Sequence, residues 1–479
     1  MISVIARSFA LQSGTSISSQ GSISYWPRID LNVNSSQVIG TNNLTLGFQL
    51  DWDRWNVFSN SPIQWQLAQA AGFKLVRFFD FRPSTWGVPA LMPLTSWNES
   101  TRTGTWNWTA VDSITRTLFQ LGMEPLFCLG WARPNIQNYI PPGMAVNATT
   151  GLPYPQSYAA YAAEWVKHFK QAGFQVRFYQ IMNEPHAYFG WNAANYTNLA
   201  YYVDLWNAAA RAMRQQNPNI LLSQDTLTMK KVLDYWIIHG DDVDLLDFHK
   251  YDASKIGEYS DAYMLYLAEL HYFNTTDTLY GIEDARQRWF TTRGKWVPVI
   301  NSESNFNSAC DNGTDPRIQQ ILGAVSLALV LRMDVMKGVN YNIYFEFSSS
   351  KSWSDAHSTS GGRGFGMINQ DDNSPWFPYY VHKMLGSNLA IGDSLIQTQS
   401  SSDDIRTIGW IHNGKLNVLL VCKVDQPRTA SLKGISQQMN AFWIDASTPA
   451  DNPIIQTGPV NATQPLTLSG YTVMLIQSP

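Results

Sequence analysis

Apolar residues recur along most of the chain in two alternating periods. Short runs of β-branched, aromatic and apolar residues, the composition of buried strands, occur at Asn43 to Trp52, Lys74 to Phe81, Glu124 to Trp131 and Val176 to Asn183. They recur at Ile220 to Thr226, Asp244 to Tyr251, Trp296 to Glu303 and Val339 to Phe347. Between and after them lie helix-period segments. Ser61 to Gly72 has Pro in its first turn and Gly at its end, the usual asymmetry of a helix. Trp108 to Gly122, Gln156 to Gly173, Asn195 to Gln216, Val232 to His239, Asp261 to Phe290 (with a break near Asn274), Pro316 to Lys337 and Tyr379 to Leu389 follow.

Eight strands, each followed by a helix, force parallel pairing through right-handed crossovers. The pattern predicts an α/β fold, a (β/α)8 TIM barrel with long insertions. The rival is an open doubly wound sheet, but no G-x-G-x-x-G follows the first strand. From about Ser394 the texture changes to short alternating strands at Ile405 to Trp410, Lys415 to Cys422, Met439 to Ile444 and Tyr471 to Ile476, a small C-terminal β-sandwich. The expected division is 41–392 for the barrel and 393–479 for the sandwich, the latter completed by strands from 1–40 such as Ser22 to Val33.

Composition narrows the partners. Charged residues are 15% of the 479, against about 25% in ordinary globular chains. The aromatic share is 13%, with 19 Trp and 22 Tyr, and the net charge is −4. Nothing here points to nucleic acid or to an anionic membrane surface, and no apolar run reaches the length of a membrane span. A surface rich in hydroxyls, amides and aromatic rings suits neutral, hydroxyl-rich ligands. The three cysteines, Cys128, Cys310 and Cys422, lack metal-binding spacing and allow at most one disulfide. Nine Asn-x-Ser/Thr sequons (at Asn34, Asn43, Asn98, Asn107, Asn147, Asn195, Asn274, Asn312 and Asn461) lean towards an exported, extracellular glycoprotein.

Barrel chemistry gathers at the carboxyl ends of the strands. Those ends carry Arg77 on the second strand, Trp131 past the third, Asn183 and Glu184 on the fourth, His249 and Tyr251 on the sixth, Glu303 on the seventh, and Tyr344, Phe345 and Glu346 on the eighth. Two facing glutamates without metal-ligand spacing are the equipment for glycosidic cleavage: one donates a proton to the leaving oxygen and the other attacks the anomeric carbon. Arg77 is placed to keep Glu303 ionised, Tyr251 to hydrogen-bond the same carboxylate, and Asn183 to bind the hydroxyl beside the reacting carbon. Each has a bland reading: Arg77 in an ion pair with Asp80 or Asp53, His249 as a core histidine, Tyr251 and Trp131 as packing.

These residues resemble the large clan of retaining (β/α)8 glycoside hydrolases with acid/base and nucleophile on the fourth and seventh strands, and glycoside hydrolase family 39 within it. The likeness lies in G-M-E-P-L-F-C-L-G-W-A-R-P (Gly122 to Pro134), F-Y-Q-I-M-N-E-P-H-A-Y-F-G-W (Phe178 to Trp191), F-H-K-Y (Phe248 to Tyr251), and Y-F-E-F-S with G-F-G-M-I-N and P-W-F-P-Y-Y, and covers about Asn43 to Leu389. It implies Glu184 as acid/base and Glu303 as nucleophile. Phe345 departs from it, standing where the clan has a Trp floor for the sugar ring. Trp86, Trp97, Trp106, Trp131, Trp191, Trp353 and Trp376 are expected in loops at the mouth, as stacking faces for several sugars. The expected activity is cleavage within β-1,4-linked glucan or xylan, with no cofactor and no metal. The alternatives are an exo-acting β-xylosidase or β-glucosidase, a carbohydrate-binding barrel without activity, and a metal-dependent barrel hydrolase, for which His249 stands nearly alone.

Overall fold

The structure, a computed structural model, describes residues 28–50, 54–79, 92–130, 140–141, 143–310, 313–352, 354, 360, 362–435, 438–449 and 453–479. Eight parallel strands close into a barrel in chain order: β2 (Thr45–Leu50), β3 (Leu75–Phe78), β6 (Glu124–Cys128), β7 (Phe178–Gln180), β8 (Leu221–Gln224), β9 (Leu245–Tyr251), β10 (Val299–Asn305) and β11 (Tyr341–Tyr344). β11 pairs with β2 to complete the ring. Every barrel strand expected from the apolar runs is present; most are a few residues shorter than their runs, while β9 matches its run to one residue and β10 extends past the expected end at Glu303 to Asn305. The flanking residues leave the ladder where they begin to face the cavity or the helices.

Inward-facing residues alternate along the strands. Leu75, Leu126, Phe178, Leu245, Ile300 and Ile343 form a closed apolar floor. Two residues further along, the inward positions turn polar: Arg77, Gln180 and Asp247 are all buried completely. The outward faces of the strands pack under the helices, including Pro155–Gln171, Tyr196–Gln216 and Ile321–Met336, whose Trp165, Trp206 and Leu331 are buried completely. The break expected near Asn274 separates two helices, Asp261–Leu270 and Ile282–Arg293.

Between β3 and the next barrel helix lies a hairpin, β4 (Leu94–Asn98) with β5 (Thr103–Trp106). A two-stranded parallel pair, β12 (Ser348–Ser349) with β13 (Ile368–Asn369), follows β11. The remaining strands form one nine-stranded sheet containing β1 (Ile29–Thr41), β14 (Ser394–Ser400), β15 (Ile405–His412), β16 (Lys415–Cys422), β17 (Arg428–Lys433), β18 (Gln438–Ile444), β19 (Gln456–Asn461), β20 (Leu466–Leu468) and β21 (Thr472–Gln477). β1 pairs with β14 on one side and β17 on the other. The sheet curls round its own core, with Leu31, Val418, Leu420, Ala430 and Ile476 inside. Its other face, Trp410, Leu419, Val421 and Leu475, joins the core of the barrel. Glu269 on helix Asp261–Leu270 accepts from Arg406 and Lys423 of the sheet, each at 2.6 Å. Cys128 and Cys422 are free thiols, both buried.

Candidate active site

Two local features aim the glutamates. β7 ends at Gln180, and Glu184 has φ +43°, the left-handed region that a non-glycine residue rarely occupies. The turn lets consecutive Asn183 and Glu184 both face the cavity. The carboxylate of Asp225, just past β8, accepts the Glu184 backbone N–H at 2.6 Å and fixes that conformation. On β10 the register against β9 slips between Asn301 and Glu303. This bulge re-aims the strand, so that Ile300 in the floor and Glu303 three residues on both point inward.

Arg77 is the hub beneath them. Its guanidinium is completely buried and donates to Glu303 Oε1 at 2.6 Å, to Gln180 Oε1 at 2.6 and 3.0 Å, and to Gln49 and Asn183. Gln180 passes the network on, donating to Asp247 at 3.1 Å and Asp225 at 3.4 Å. Tyr251 donates to Glu303 Oε2 at 2.8 Å. His249 stands between the glutamates, with Nδ1 at 3.1 Å from Glu184 Oε1 and 3.4 Å from Glu303 Oε2, and Nε2 at 3.6 Å from Asp225. One oxygen of each glutamate and a nitrogen of His249 all lie within 4.8 Å of one another.

The electrostatics follow from burial and these contacts. Burial opposes a charge on His249, but Glu303, Glu184 and Asp225 outweigh it and push its pKa up to about 9. Burial would raise Glu184, yet the His249 hydrogen bond and the charges of His249, His186 and Arg77 hold it down at about 2. Asp225 goes the other way: burial, with Asp247 beside it, pushes it up to about 8 against the pull of His249. Asp247 is likewise raised by burial. Burial opposes the Arg77 charge too, and Glu303 more than restores it. At neutral pH the centre therefore holds ionised Glu184 with a protonated His249 against it.

Above this network opens a cavity of about 590 Å³ whose lining includes Asn183, Glu184, His249, Tyr251, Glu303 and Phe345, with Trp191 at the rim. Trp191 is exposed and packs on His186, ring centres 4.4 Å apart. Phe345 contacts the rings of Tyr251 and Phe365 at 6.3 and 4.9 Å, so an aromatic wall does stand at this position. Arg77 supports the site from below rather than lining it. Trp131, Trp86 and Trp353, together with Asp53 and Asp80, lie outside the described residues.

Three tryptophans expected at the mouth are elsewhere. Trp106 is sandwiched between Trp108 and Tyr161, at 4.7 and 5.6 Å, where its indole covers a barrel helix. Trp97 sits on the same hairpin and donates to Glu99. Trp376 is buried where the closing helix Phe377–Gly386 begins. Gln49, Gln180, Asp225, Asp247 and His186 are site residues that the reading of strand ends passed over. For Asp225 the signal was present: it is the acid near the end of the fifth apolar run, in S-Q-D-T.

No protein-family model and no curated protein sequence matches the chain. Solved structures do match. A glycoside hydrolase family 39 β-xylosidase from Caulobacter crescentus shares 14% identity over 95% of this chain and 100% of its own, with a TM-score of 0.61. A family 51 α-L-arabinofuranosidase from Thermotoga petrophila shares 12% over 94% and 100%, TM-score 0.63. A family 30 endoxylanase from Clostridium papyrosolvens shares 11% over 94% and 99%, TM-score 0.54. Over 94–95% of its length the chain has the fold of these hydrolases, a (β/α)8 barrel joined to a β-domain.

Proposed function

We propose that the protein is a retaining glycoside hydrolase that cuts within β-1,4-linked polysaccharide of the xylan or glucan type by double displacement. The observation that carries this reading is the pair Glu184 and Glu303, from different strands, with oxygens within 4.8 Å across one cavity. So short a separation fits the carboxyl spacing of about 5–5.5 Å of retaining sites and leaves no room for the water an inverting site places between them. The β-xylosidase and endoxylanase that share the fold support a xylan-type substrate.

In this reading Glu303, steadied by Arg77 and Tyr251, attacks the anomeric carbon. The leaving oxygen takes a proton from Glu184, and Asn183 binds the neighbouring hydroxyl. In the free site that proton rests on His249, because the surrounding carboxylates hold it there. Forming the glycosyl ester consumes the Glu303 charge, weakens that hold, and lets the proton pass through Glu184 to the departing sugar. Water, deprotonated by Glu184, then releases the product with its configuration kept.

The test uses two variants. Glu184→Gln should keep turnover on aryl glycosides with good leaving groups, and added azide should rescue it; Glu303→Gln should be inactive on every glycoside. Equal loss in both, with no rescue, would contradict the assignment. The exo reading draws support from the β-xylosidase likeness. Release of single sugars only from a long xylo-oligosaccharide would favour it.

Export is part of the same reading. None of the eight sequon asparagines among the described residues is buried. At Asn34, Asn98 and Asn461 the following Ser or Thr hydroxyl donates to the asparagine Oδ1 at 2.7, 2.7 and 2.8 Å. A mass loss on endoglycosidase treatment of secreted protein would support it; an unmodified chain would count against it.

A further inference from the structure

Helix Asp261–Leu270 is apolar on two sides. Met264, Leu265 and Ala268 point into the core. Yet Tyr263 and Tyr266 are 45% and 53% exposed on the opposite face, more open than a tyrosine needs to be if it only packs. They continue a line. Tyr259, just before the helix, lines the rim of the active cavity. Its ring centre is 4.9 Å from that of Tyr263, which is 5.8 Å from that of Tyr266. Three rings thus run outward from the cavity edge along the helix, at intervals comparable to one pyranose repeat. Ile256, 39% exposed in the preceding loop, carries a further apolar side chain near the start of the line.

The segment is held in place. Arg317 donates to the Tyr259 carbonyl at 3.2 Å and to Asp261 at 2.8 Å. Glu258 accepts from the backbone N–H groups of Ser254 and Lys255 at 2.9 and 3.1 Å. Ser260 caps the helix by accepting from Tyr263 N–H. At the far end Glu269 ties it to the sheet through Arg406 and Lys423. A surface fixed in advance spends little conformational entropy on binding. Tyr259 and Tyr263 meet edge to face at 61° and Tyr263 and Tyr266 are stacked at 25°, so the three form one continuous aromatic surface edged with hydroxyls, which suits a neutral, hydroxyl-rich chain.

We infer that Tyr259, Tyr263 and Tyr266 form an extended binding stripe for the part of a β-1,4-linked polysaccharide that leaves the cavity. The stripe rests on the glycosidase reading for its substrate class and adds to it a surface that a single-sugar substrate never reaches. The acid lies on the leaving-group side of the bond, and the stripe begins in the loop after His249 and Tyr251.

The experiment compares the wild type with the double variant Tyr263→Ala/Tyr266→Ala, on soluble xylan and on 4-nitrophenyl β-xyloside. Both positions are exposed and alanine favours helix, so the variant folds. KM for xylan should rise roughly tenfold, the equivalent of about 1.4 kcal/mol, with kcat unchanged and the aryl glycoside unaffected. An unchanged KM on xylan, or an equal rise on both substrates, overturns the stripe. If the wild type hydrolyses neither substrate, the glycosidase reading fails while the stripe is still judged by native electrophoresis through xylan. Retardation of the wild type that the variant loses supports the stripe; no retardation of the wild type overturns it.

Discussion

The barrel's floor and its mouth are built from the same strands two residues apart, and they obey opposite rules. In the floor, Leu75, Phe178, Leu245 and Ile300 meet as apolar side chains with nothing left to satisfy. One step up, Arg77, Gln180 and Asp247 are just as buried but carry charge and hydrogen-bond demands. Above them Glu184 takes a left-handed backbone and β10 is bulged to aim Glu303. Burial stabilises the first layer and costs stability in the second, where the hydrogen bonds and ion pairs of the network offset it. The floor makes the barrel; the mouth is where its stability is traded for chemistry.

The largest effect separates the layers outright. Glu303→Gln should lower kcat by roughly 10⁴-fold or more, the scale of removing a nucleophile from a covalent mechanism. Phe178→Ala in the floor should destabilise by about 3–5 kcal/mol and leave kcat per folded molecule nearly intact. Chemical denaturation and active-site titration measure the two. A floor variant that lost turnover while keeping its stability would erase the distinction. Arg77→Leu is the intermediate case, because Arg77 belongs to both layers. It leaves the Glu303 carboxylate buried without its cation and should cost about 3–5 kcal/mol as well as activity.

The two layers were not equally legible in the sequence. The barrel strands announce themselves as apolar runs, and each of the eight coincides with one. Arg77, His249, Tyr251, Glu303 and the Asn183–Glu184 pair stand out together, because polar residues towards the carboxyl ends of several such runs converge on one barrel mouth. Gln49, Gln180 and Asp247 do not, since one polar residue inside an apolar strand looks the same whether it faces helix or cavity. The bulge at β10 was invisible too, because register belongs to the pairing and not to either strand. The tryptophans misled for a related reason. An indole outside the barrel strands and helices serves equally as a sugar platform or as a lid on a helix, and Trp106 on β5 takes the second role. In the β-domain, Ser394–Ser400, Arg428–Lys433, Gln456–Asn461 and Leu466–Leu468 carry no such signal, being short or sparsely apolar strands whose partners define them.

Asp225→Asn probes the mouth more gently. The amide oxygen can still accept the Glu184 N–H, so the turn survives. What disappears is a charge that helps hold the proton on His249 at a pKa of about 9. The alkaline limb of kcat/KM should therefore move to lower pH, by roughly one unit, while KM for a small aryl glycoside stays put. An alkaline limb that does not move would remove Asp225, and His249 with it, from the proton inventory.

The same variant should gain stability where it loses activity, and the sign follows from linkage. Asp225 titrates near 8 when folded against an ordinary 3.8, so between those values the folded protein holds a proton the unfolded chain has released. Stability contributed by that group is full below 3.8 and is lost as pH rises towards 8. His249, raised from 6.5 to about 9, adds a loss in the same direction over its own range. Glu184, lowered from 4.5 to about 2, acts oppositely and gives up its contribution as pH falls through that interval. The wild-type cluster is thus most favourable between the ordinary values of these two carboxyls, 3.8 and 4.5. Asparagine at 225 has no proton to hold, and it also lowers His249 towards its ordinary value. The Tm of Asp225→Asn minus that of the wild type should therefore increase steadily from pH 4 to pH 8. A difference flat across that range would mean that burial leaves the Asp225 carboxyl near its ordinary value, and that the mouth carries less strain than its geometry implies.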